Sequence, residues 1–453
     1  MVNSSTSELD YSHNDSHKDS HKDSHSDINS SINSDSNEDN INIDLTGDII
    51  GDYNVIAMLG KGGYSKVWLA YNINDMKYYA LKVFNANDYD DGKEELKIML
   101  IIPKDEKYIN RLKEHFVETR FVGDNATKFL CIVYYLCAGN LDGLGRKGQY
   151  DKGYPLHMVK TFILQTLDAL NCVHYKLKGF HGDIKPDNIL LCGYNNRDKR
   201  YIDMYDKFKF NDVYSRTKKE YCNEKKIKNL DTEKRQRIRL KVHRAIIDNM
   251  DSNKEDLEKT KSFHSKLNSE EIQFDQYRCH PNYFNNITIK LTDFGFFCKH
   301  TEQFNKPFGT RYYMAPEIIL MGDCSEKVDI WALGCMIYEL LTGEILFDPH
   351  SSSRGSTDYH HLEMMICMCG EFDKSILHKT KHYKKFFKND KLKDIIYSDD
   401  YKVPLVEKLN IKLKEHNINN INIAKLIAST LQLNPKGRPS VRDLVGVVSG
   451  IQW

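Results

Sequence analysis

Apolar and polar residues alternate in the first patterned part of the chain and then change to a helical spacing. Alternation typical of β-strands, with a turn expected at Asn74 and Asp75, predicts three strands over Tyr53–Leu59, Lys66–Tyr71 and Tyr78–Phe84. The spacing becomes helical over Gly92–Ile101 and Leu156–Tyr175, and again over most of the chain beyond Ile330. The pattern therefore predicts an α+β fold in which a small β-rich lobe precedes a larger helical lobe.

Two stretches lack this pattern and are rich in polar or charged residues. Residues 1–46 repeat Ser, His, Asp and Asn, a composition that predicts a disordered tail. Residues 194–286 are highly charged, and we interpret them as a largely disordered spacer insertion that interrupts a folded domain over residues 48–453. Within the insertion, Ile238, Val242 and Ile246 recur at helical spacing, which indicates an amphipathic helix.

Composition narrows the class of protein. The 453 residues carry 65 Lys and Arg against 64 Asp and Glu, a net charge of +1, so the overall charge predicts no nucleic-acid partner. The 11 Cys include no C-x-x-C pair, so we expect a reducing compartment, the cytoplasm with the nucleus as a second location. No apolar run approaches the roughly 18 residues of a membrane span, and the start has no basic flank or apolar core, so neither a membrane segment nor a secretory signal is predicted.

A glycine-rich segment lies between the first two predicted strands and reads Gly60-Lys61-Gly62-Gly63-Tyr64-Ser65-Lys66-Val67. Glycines allow backbone N–H groups to approach phosphate oxygens closely. The strand after the loop argues against a dinucleotide-binding βαβ unit, which needs a helix at this position. Taken alone, the segment also fits a plain hairpin.

The third predicted strand carries Lys82 among apolar residues. Burying an unpaired ammonium group is costly, so a buried Lys82 needs a carboxylate partner. Glu95 on the following helix is the first candidate and Glu94 the second. The alternative is a surface lysine on an edge strand.

The most specific motif is the run from His181 to Leu191, in which Asp183, Lys185 and Asn188 are spaced to converge on one phosphoryl group. The run matches the catalytic-loop pattern of protein kinases. In that pattern the Asp accepts the substrate hydroxyl proton, the Lys neutralises charge on the γ-phosphoryl group and the Asn coordinates magnesium. Gly182 departs from the pattern, because an Arg usually stands there.

Three further acidic residues follow the insertion. An apolar strand ends at Asp293-Phe294-Gly295, which places a carboxylate where it can bind magnesium. Glu317, in an Ala-Pro-Glu sequence, needs a buried cation, and we expect it to pair with Arg438. Asp329 opens a helix that we expect to brace the catalytic loop.

The order and spacing of these motifs resemble the eukaryotic protein kinase fold over residues 48–453, apart from the spacer. The resemblance implies ATP as a substrate and Mg²⁺ as a cofactor, held by Asn188 and Asp293. It also implies a hinge at Tyr135 and Cys137 that binds adenine, while Asp142 either reaches the ribose or is an ordinary turn residue. The implied ATP-binding residues are Leu59, Gly60, Lys61, Gly62, Gly63, Tyr64, Ser65, Val67, Lys82, Glu95, Tyr135 and Cys137.

A narrower resemblance is to serine/threonine kinases and, among them, the SR-protein kinase family. Lys185 and the Gly-Thr-x-Tyr-Tyr sequence before Ala-Pro-Glu resemble the serine/threonine class, and Thr310 of that sequence is expected to lie near Asp183 and Lys185. The family resemblance is carried by the split domain, by residues 67–70 and by the segments 346–351 and 381–387. It implies protein substrates rich in Arg and Ser. The Ala-Pro-Glu form and the modest acidic character of residues 358–363 depart from the family.

Three alternatives stay open at this point. A pseudokinase or scaffold would be favoured by the loss of a residue among Lys82, Asp183, Asn188 and Asp293, and all four are present. An interaction protein dominated by its spacer and tail is the second. A small-molecule kinase of related fold is the third, and the intact Ala-Pro-Glu segment argues against it. We expect a monomeric protein kinase without a membrane partner. We also expect little dependence on phosphorylation of the activation segment (residues 293–317), since Gly182 cannot bind a phosphate as Arg does.

Overall fold

The computed structural model describes residues 44–122, 125–145, 148–193, 195–252, 274–275, 278–279, 287–351 and 355–453. The chain from Asp44 to Trp453 forms one compact unit. Residues 1–43, to which the prediction of a disordered tail mainly refers, lie outside the described residues, as does most of the insertion beyond residue 252.

The first lobe is built on an antiparallel sheet of six strands in the order β1-β2-β3-β4-β6-β5. The sheet and the helix that follows β4 comprise β1 (Ile49–Ile50), β2 (Tyr53–Lys61), β3 (Ser65–Asn72), β4 (Lys77–Phe84), α1 (Tyr89–Ile101), β5 (Leu112–Val122) and β6 (Asn125–Tyr134). Strands β3 and β4 pair from Ser65 and Phe84 to Asn72 and Lys77. The predicted turn at residues 74 and 75 is confirmed.

The chain leaves this sheet through a short strand and enters the helical lobe. The elements here are β7 (Cys137–Asn140), α2 (Leu141–Leu144), α3 (Leu156–Asn171), β8 (Gly179–Phe180) and β9 (Ile189–Cys192). Helix α3 buries Phe162, Ile163, Leu167 and Leu170 completely, as its apolar spacing predicts. Strand β9 pairs with β7, so the chain after the catalytic loop returns to the hinge.

The insertion is folded where the structure describes it, which corrects our interpretation of residues 194–286 as largely disordered. Its elements are α4 (Asn196–Lys207), α5 (Phe210–Glu224), α6 (Thr232–Asp251), β10 (Phe274–Asp275) and β11 (Arg278–Cys279). The expected amphipathic helix is confirmed, since Ile238, Val242 and Ile246 of α6 are buried in one core with Ile56 and Leu69 of the sheet. The buried apolar residues of α6 form only a narrow stripe, and most of its other residues are charged and face solvent. The composition of the segment therefore resembles that of a disordered chain although the helix is folded.

A chain of buried hydrogen bonds also fixes the insertion to the sheet. Arg239 Nε donates to Asn54 Oδ1 (2.8 Å), and Asn54 Nδ2 donates to the Tyr205 hydroxyl (2.9 Å). The Tyr205 hydroxyl then donates to His243 Nδ1 (3.0 Å), and His243 Nε2 donates to the backbone oxygen of Val55 (2.8 Å). This direction requires a neutral His243, which agrees with burial that lowers its pKa to about 4.

The rest of the helical lobe follows the insertion. Its elements are β12 (Ile289–Leu291), β13 (Cys298–Lys299), α7 (Pro316–Ile319), α8 (Lys327–Thr342), α9 (Thr357–Cys369), α10 (Lys374–Leu377), α11 (Tyr383–Phe386), β14 (Phe387–Lys388), β15 (Lys391–Leu392), α12 (Leu405–Glu415), α13 (Ile421–Thr430) and α14 (Val441–Gly450). The predicted pair of Glu317 and Arg438 is confirmed, with two buried bonds of 2.7 and 2.8 Å. Strand β12 pairs with β9, which sets Asp293 beside the catalytic loop. Within the described residues, none of the helices has the length and apolar character that crossing a membrane requires.

Candidate active site

The catalytic loop lies between β8 and β9 and is anchored by Asp329 at the start of α8. The backbone N–H groups of His181 and Gly182 donate to the two carboxylate oxygens of Asp329, at 2.8 and 2.9 Å. His174 Nε2 lies 2.8 Å from Asp329 Oδ2. Burial raises the pKa of Asp329, but the hydrogen bond and charge of His174 outweigh burial, so that pKa is lowered. The predicted bracing role of Asp329 is confirmed.

Asp183 is buried, and both of its carboxylate oxygens have partners. Oδ1 accepts a hydrogen bond from the backbone N–H of Thr310 (2.8 Å), and Oδ2 accepts one from Asn188 Nδ2 (3.1 Å). Lys185 Nζ lies 2.8 Å from Asp183 Oδ2 and donates to the Thr310 hydroxyl at 2.6 Å. The loop thus brings together the carboxylate, ammonium and amide groups that the spacing predicted, and Thr310 joins them.

Gly182 occupies a position that excludes a side chain. Its φ of +82° lies in the left-handed region, and a Cβ atom there would stand 2.6 Å from the backbone oxygen of Phe296. An L-residue would be strained at this φ and would also clash with backbone atoms. A larger residue at position 182 would therefore require the activation segment or the catalytic loop to shift.

Lys82 and Glu95 form the predicted ion pair, in which Lys82 Nζ donates to both carboxylate oxygens at 2.8 Å. Strand β4 lies between β3 and β6, so the edge-strand alternative for Lys82 is wrong. Burial lowers the pKa of Lys82, but the charges of Glu95 and Asp293 outweigh burial and raise that pKa. Burial and the charge of Glu95 also raise the pKa of the Tyr134 hydroxyl well above its usual value.

Asp293 follows β12 in a backbone conformation that non-glycine residues seldom adopt. Its φ is +66°, and its Oδ1 lies 3.9 Å from Lys82 Nζ. Burial raises the pKa of Asp293, but Lys82 and Lys185 outweigh burial, so that pKa is lowered and the carboxylate is favoured. Left-handed conformations of residues other than glycine concentrate at functional sites, where the surrounding structure enforces them.

These residues surround a cleft of about 570 Å³ between the two lobes. Of the residues predicted to bind ATP, the structure places Leu59, Gly60, Lys61, Gly62, Ser65, Val67, Lys82, Tyr135 and Cys137 in its lining, with Asp142, Asn188 and Asp293. Glu95 lies behind Lys82, Asp183 lines a small adjoining pocket with Thr310, and Gly63 and Tyr64 do not line the cleft. The cleft is within the size range of small-molecule sites. It also offers the oxygen ligands that Mg²⁺ prefers, on Asn188 and Asp293.

Three residues of the insertion line the cleft although no motif in the sequence indicates it. Asn195, Arg197 and Asp198 belong to the start of the insertion and line the same cleft. Nothing in their spacing relates them to a nucleotide site. They reach the cleft because Asn195 bonds to Ala138 of β7 and Arg197 to Met58 of β2, contacts between segments far apart in the sequence. A pattern of neighbouring residues does not indicate such contacts.

A two-lobed fold with this cleft and catalytic loop defines a protein kinase. The family model described as "Protein kinase domain" matches residues 53–206 and 199–447, and the chain belongs to this family. The split match agrees with a kinase domain interrupted by an insertion. Its relatives, which are named serine/threonine-protein kinases, identify the chain as a protein serine/threonine kinase.

The relatives include several SR-protein kinases. The chain is 27% identical over 346 residues to the serine/threonine-protein kinase SRPK of Physarum polycephalum, and this alignment covers 74% of the chain and 71% of the relative. It is 24% identical over 446 residues to SRSF protein kinase 3 of Mus musculus, with 74% and 75% covered. A serine/threonine-protein kinase of Acanthamoeba polyphaga mimivirus is 27% identical over 427 residues, with 77% and 78% covered. These matches confirm the resemblance to the SR-protein kinase family and give the pseudokinase alternative no support.

Proposed function

We propose that Asp183 is the base that orients the hydroxyl group of a Ser or Thr side chain and accepts its proton during transfer of the γ-phosphoryl group of ATP. The observation that carries this assignment is the convergence of Asp183, Lys185 and Asn188, with Thr310 bonded to both Asp183 and Lys185. A carboxylate held by three donors is fixed in place. Proton acceptance by a positioned group of this kind contributes roughly 100- to 10,000-fold to a rate.

Lys82, Lys185, Asn188 and Asp293 supply the electrostatic part of the proposal. Lys82, held by Glu95, binds the α- and β-phosphates, while Lys185 neutralises charge that develops on the transferred group. Asn188 and Asp293 would hold Mg²⁺, which would neutralise negative charge on the phosphate groups. The backbone of Tyr135 and Cys137 binds the adenine edge.

A comparison of two lysines on strand β4 tests the nucleotide part of this proposal. Lys82→Met should raise the KM for ATP and lower kcat, with a combined loss in kcat/KM on the order of 100-fold or more. Lys77→Met removes an exposed lysine from the same strand and should leave both constants within about twofold. Equal activity of the two variants on a peptide substrate would overturn the assignment of Lys82.

We further propose that the substrates are Arg/Ser-rich proteins. The support is the similarity to proteins named SRPK and SRSF protein kinase 3. Asp358, an acidic residue of α9, pairs with Arg311 at 2.5 Å and lies 3.7 Å from Lys385. Because these two cations offset its negative charge, Asp358 itself would add little to the binding of a basic peptide. A Ser-peptide array that varies the flanking residues tests the proposal, and absence of any preference for Arg beside Ser would contradict it.

The activation segment supports our expectation that its phosphorylation matters little. Arg311 of the segment is paired with Asp358 of α9, and Thr310 is bonded to the catalytic loop. These contacts hold the segment without a phosphate. Phosphatase-treated enzyme should keep its activity within about twofold, and a loss that tracks dephosphorylation of residues 296–310 would contradict the proposal.

A further inference from the structure

Helix α4 of the insertion begins at the wall of the nucleotide cleft. Asn195 caps the helix, since its Oδ1 accepts a hydrogen bond from the backbone N–H of Asp198 at 2.7 Å. Asn195 Nδ2 donates to the backbone oxygen of Ala138, in the hinge strand β7, at 3.0 Å. The first turn of the insertion is thereby fixed to the hinge, and Asn195, Arg197 and Asp198 line the cleft.

Asp198 is a buried carboxyl group with few partners. It is 3% exposed, and its Oδ2 accepts a hydrogen bond from Asn195 Nδ2 at 2.8 Å. A carboxylate offers about four acceptor positions on its two oxygens, so this bond leaves acceptor capacity. Burial raises the pKa of Asp198 to about 6, although Arg197 and Asn195 oppose the rise. A buried acceptor group of this kind in a cleft wall favours a ligand that brings hydroxyl donors.

The position of Asp198 selects the part of the nucleotide that it would meet. A carboxylate repels phosphate groups, and the charges of Lys82 and Lys185 act on Asp293, whereas the charge that acts on Asp198 is that of Arg197. Asp198 is instead tied to Ala138 through Asn195, next to the segment Gly139–Gly143, which also lines the cleft in part. In the proposed binding mode, with adenine at the hinge and the phosphates near Lys82, the ribose would lie between these two regions of the cleft.

Arg197 connects the same turn to the roof of the cleft. Its Nη2 donates to the backbone oxygen of Met58 at 2.9 Å, just before the glycine-rich segment. The insertion therefore contacts the cleft from two sides, at the hinge through Asn195 and at the roof through Arg197. These two contacts fix the first turn of α4 in the wall of the cleft and leave the cleft itself open.

We propose that Asp198, positioned by Asn195, accepts hydrogen bonds from the ribose hydroxyl groups of the nucleotide, so that the insertion completes the nucleotide site. The inference rests on the proposed function, because it presupposes a nucleoside triphosphate in this cleft. It assigns the insertion a part in selecting ribonucleotides over deoxyribonucleotides.

Binding of ATP and 2′-deoxy-ATP to the full chain, each with Mg²⁺, tests the inference. The unsubstituted protein should bind ATP about tenfold more tightly, because a hydrogen bond to a charged group contributes about 1.5 kcal/mol or more. In Asp198→Asn, this preference should fall below about threefold, because the Kd of ATP rises by a larger factor than the Kd of 2′-deoxy-ATP. Asp203→Asn removes an exposed carboxylate from the same helix and should keep the full preference.

The outcomes separate this inference from the proposed function. If Asp198→Asn folds and keeps the tenfold preference while Asp142→Asn abolishes it, Asp142 alone reads the ribose and the inference is overturned. If the unsubstituted protein binds neither nucleotide, the proposed function itself fails. Should Asp198→Asn not fold, Asn195→Ser keeps a capping hydroxyl but removes the donor to Asp198, and an undiminished preference in that variant would overturn the inference as well.

Discussion

The catalytic loop and the insertion are both polar segments, and their polar groups are used in opposite ways. In the loop, Asp183 and Lys185 are held beside a cleft by bonds from Thr310 and Asn188. In the insertion, the bonds of Arg239, Tyr205 and His243 join helices to a sheet and are buried between them. Polar residues thus mark chemistry in the catalytic loop and attachment in the part of the insertion that covers the sheet. In the loop, the hydrogen bonds hold polar groups beside a cleft that can receive a ligand. In the insertion, the hydrogen bonds connect the helices to the sheet.

The largest effect is expected from Asp183→Ala. Turnover should fall roughly 100- to 10,000-fold while ATP binding persists, because the loss lies in proton acceptance and orientation of the hydroxyl group. Steady-state kinetics and nucleotide binding measure the two parts separately. Asp168→Ala, at an exposed site on α3, serves as the control. Turnover by Asp183→Ala at the unsubstituted rate would remove the loop from the chemical step.

Asp329→Asn tests how far the loop depends on its own attachment. In the unsubstituted protein, the backbone N–H groups of His181 and Gly182 donate to the Asp329 carboxylate. The substitution places an N–H₂ donor opposite one of these donors, so we expect a loss of about 3 kcal/mol in the free energy of unfolding. Activity should fall as well, because the loop is displaced. Asp323→Asn, at an exposed site before the same helix, should change neither quantity. Unchanged stability to denaturant in Asp329→Asn would mean that the loop is held elsewhere.

Ile246→Ala tests the insertion as an attached element. Removal of a buried side chain from the core shared with Ile56 and Leu69 should cost about 2–4 kcal/mol in the free energy of unfolding. The kcat of the folded enzyme should stay close to its normal value, in contrast to Asp183→Ala. Arg237→Ala, at an exposed site on the same helix, should cost less than about 1 kcal/mol. A stability unchanged by Ile246→Ala would show that the insertion is not part of the folded core.

The pH dependence of stability gives the smallest and most specific test. Burial lowers the pKa of His243 from 6.5 to about 4, so the unfolded chain binds a proton at this residue before the folded protein does. Stability from this group is present above pH 6.5 and is lost as the pH falls toward 4, by about 3 kcal/mol at most. Denaturant unfolding at several pH values should show this slope, and His243→Gln should reduce it. An equal slope in both proteins would contradict a neutral, buried His243.

Much of the active site was predictable because its residues are close together in sequence or follow a fixed order along the chain. Asp183, Lys185 and Asn188 lie within one loop, and their spacing alone brings them together. The pairing of Lys82 with Glu95 was predictable because a lysine in an apolar strand needs a carboxylate, and the next helix offers one. Thr310 was expected near the loop through the resemblance to serine/threonine kinases.

The sequence by itself determined the two-lobed fold and the kinase family and singled out the residues to which we assign catalysis, since each rests on local periodicity or on motifs with fixed spacing. Tertiary structure decided the rest. The narrow apolar stripe of α6 is outnumbered by charged residues in the sequence, and only the sheet surface around Ile56 and Leu69 makes it a core. Likewise, only the structure shows that a Cβ at Gly182 would stand 2.6 Å from the backbone oxygen of Phe296, which lies beyond the insertion in the sequence. Asp198 reaches the cleft for the same reason, because long-range packing places it there and no sequence pattern records that contact.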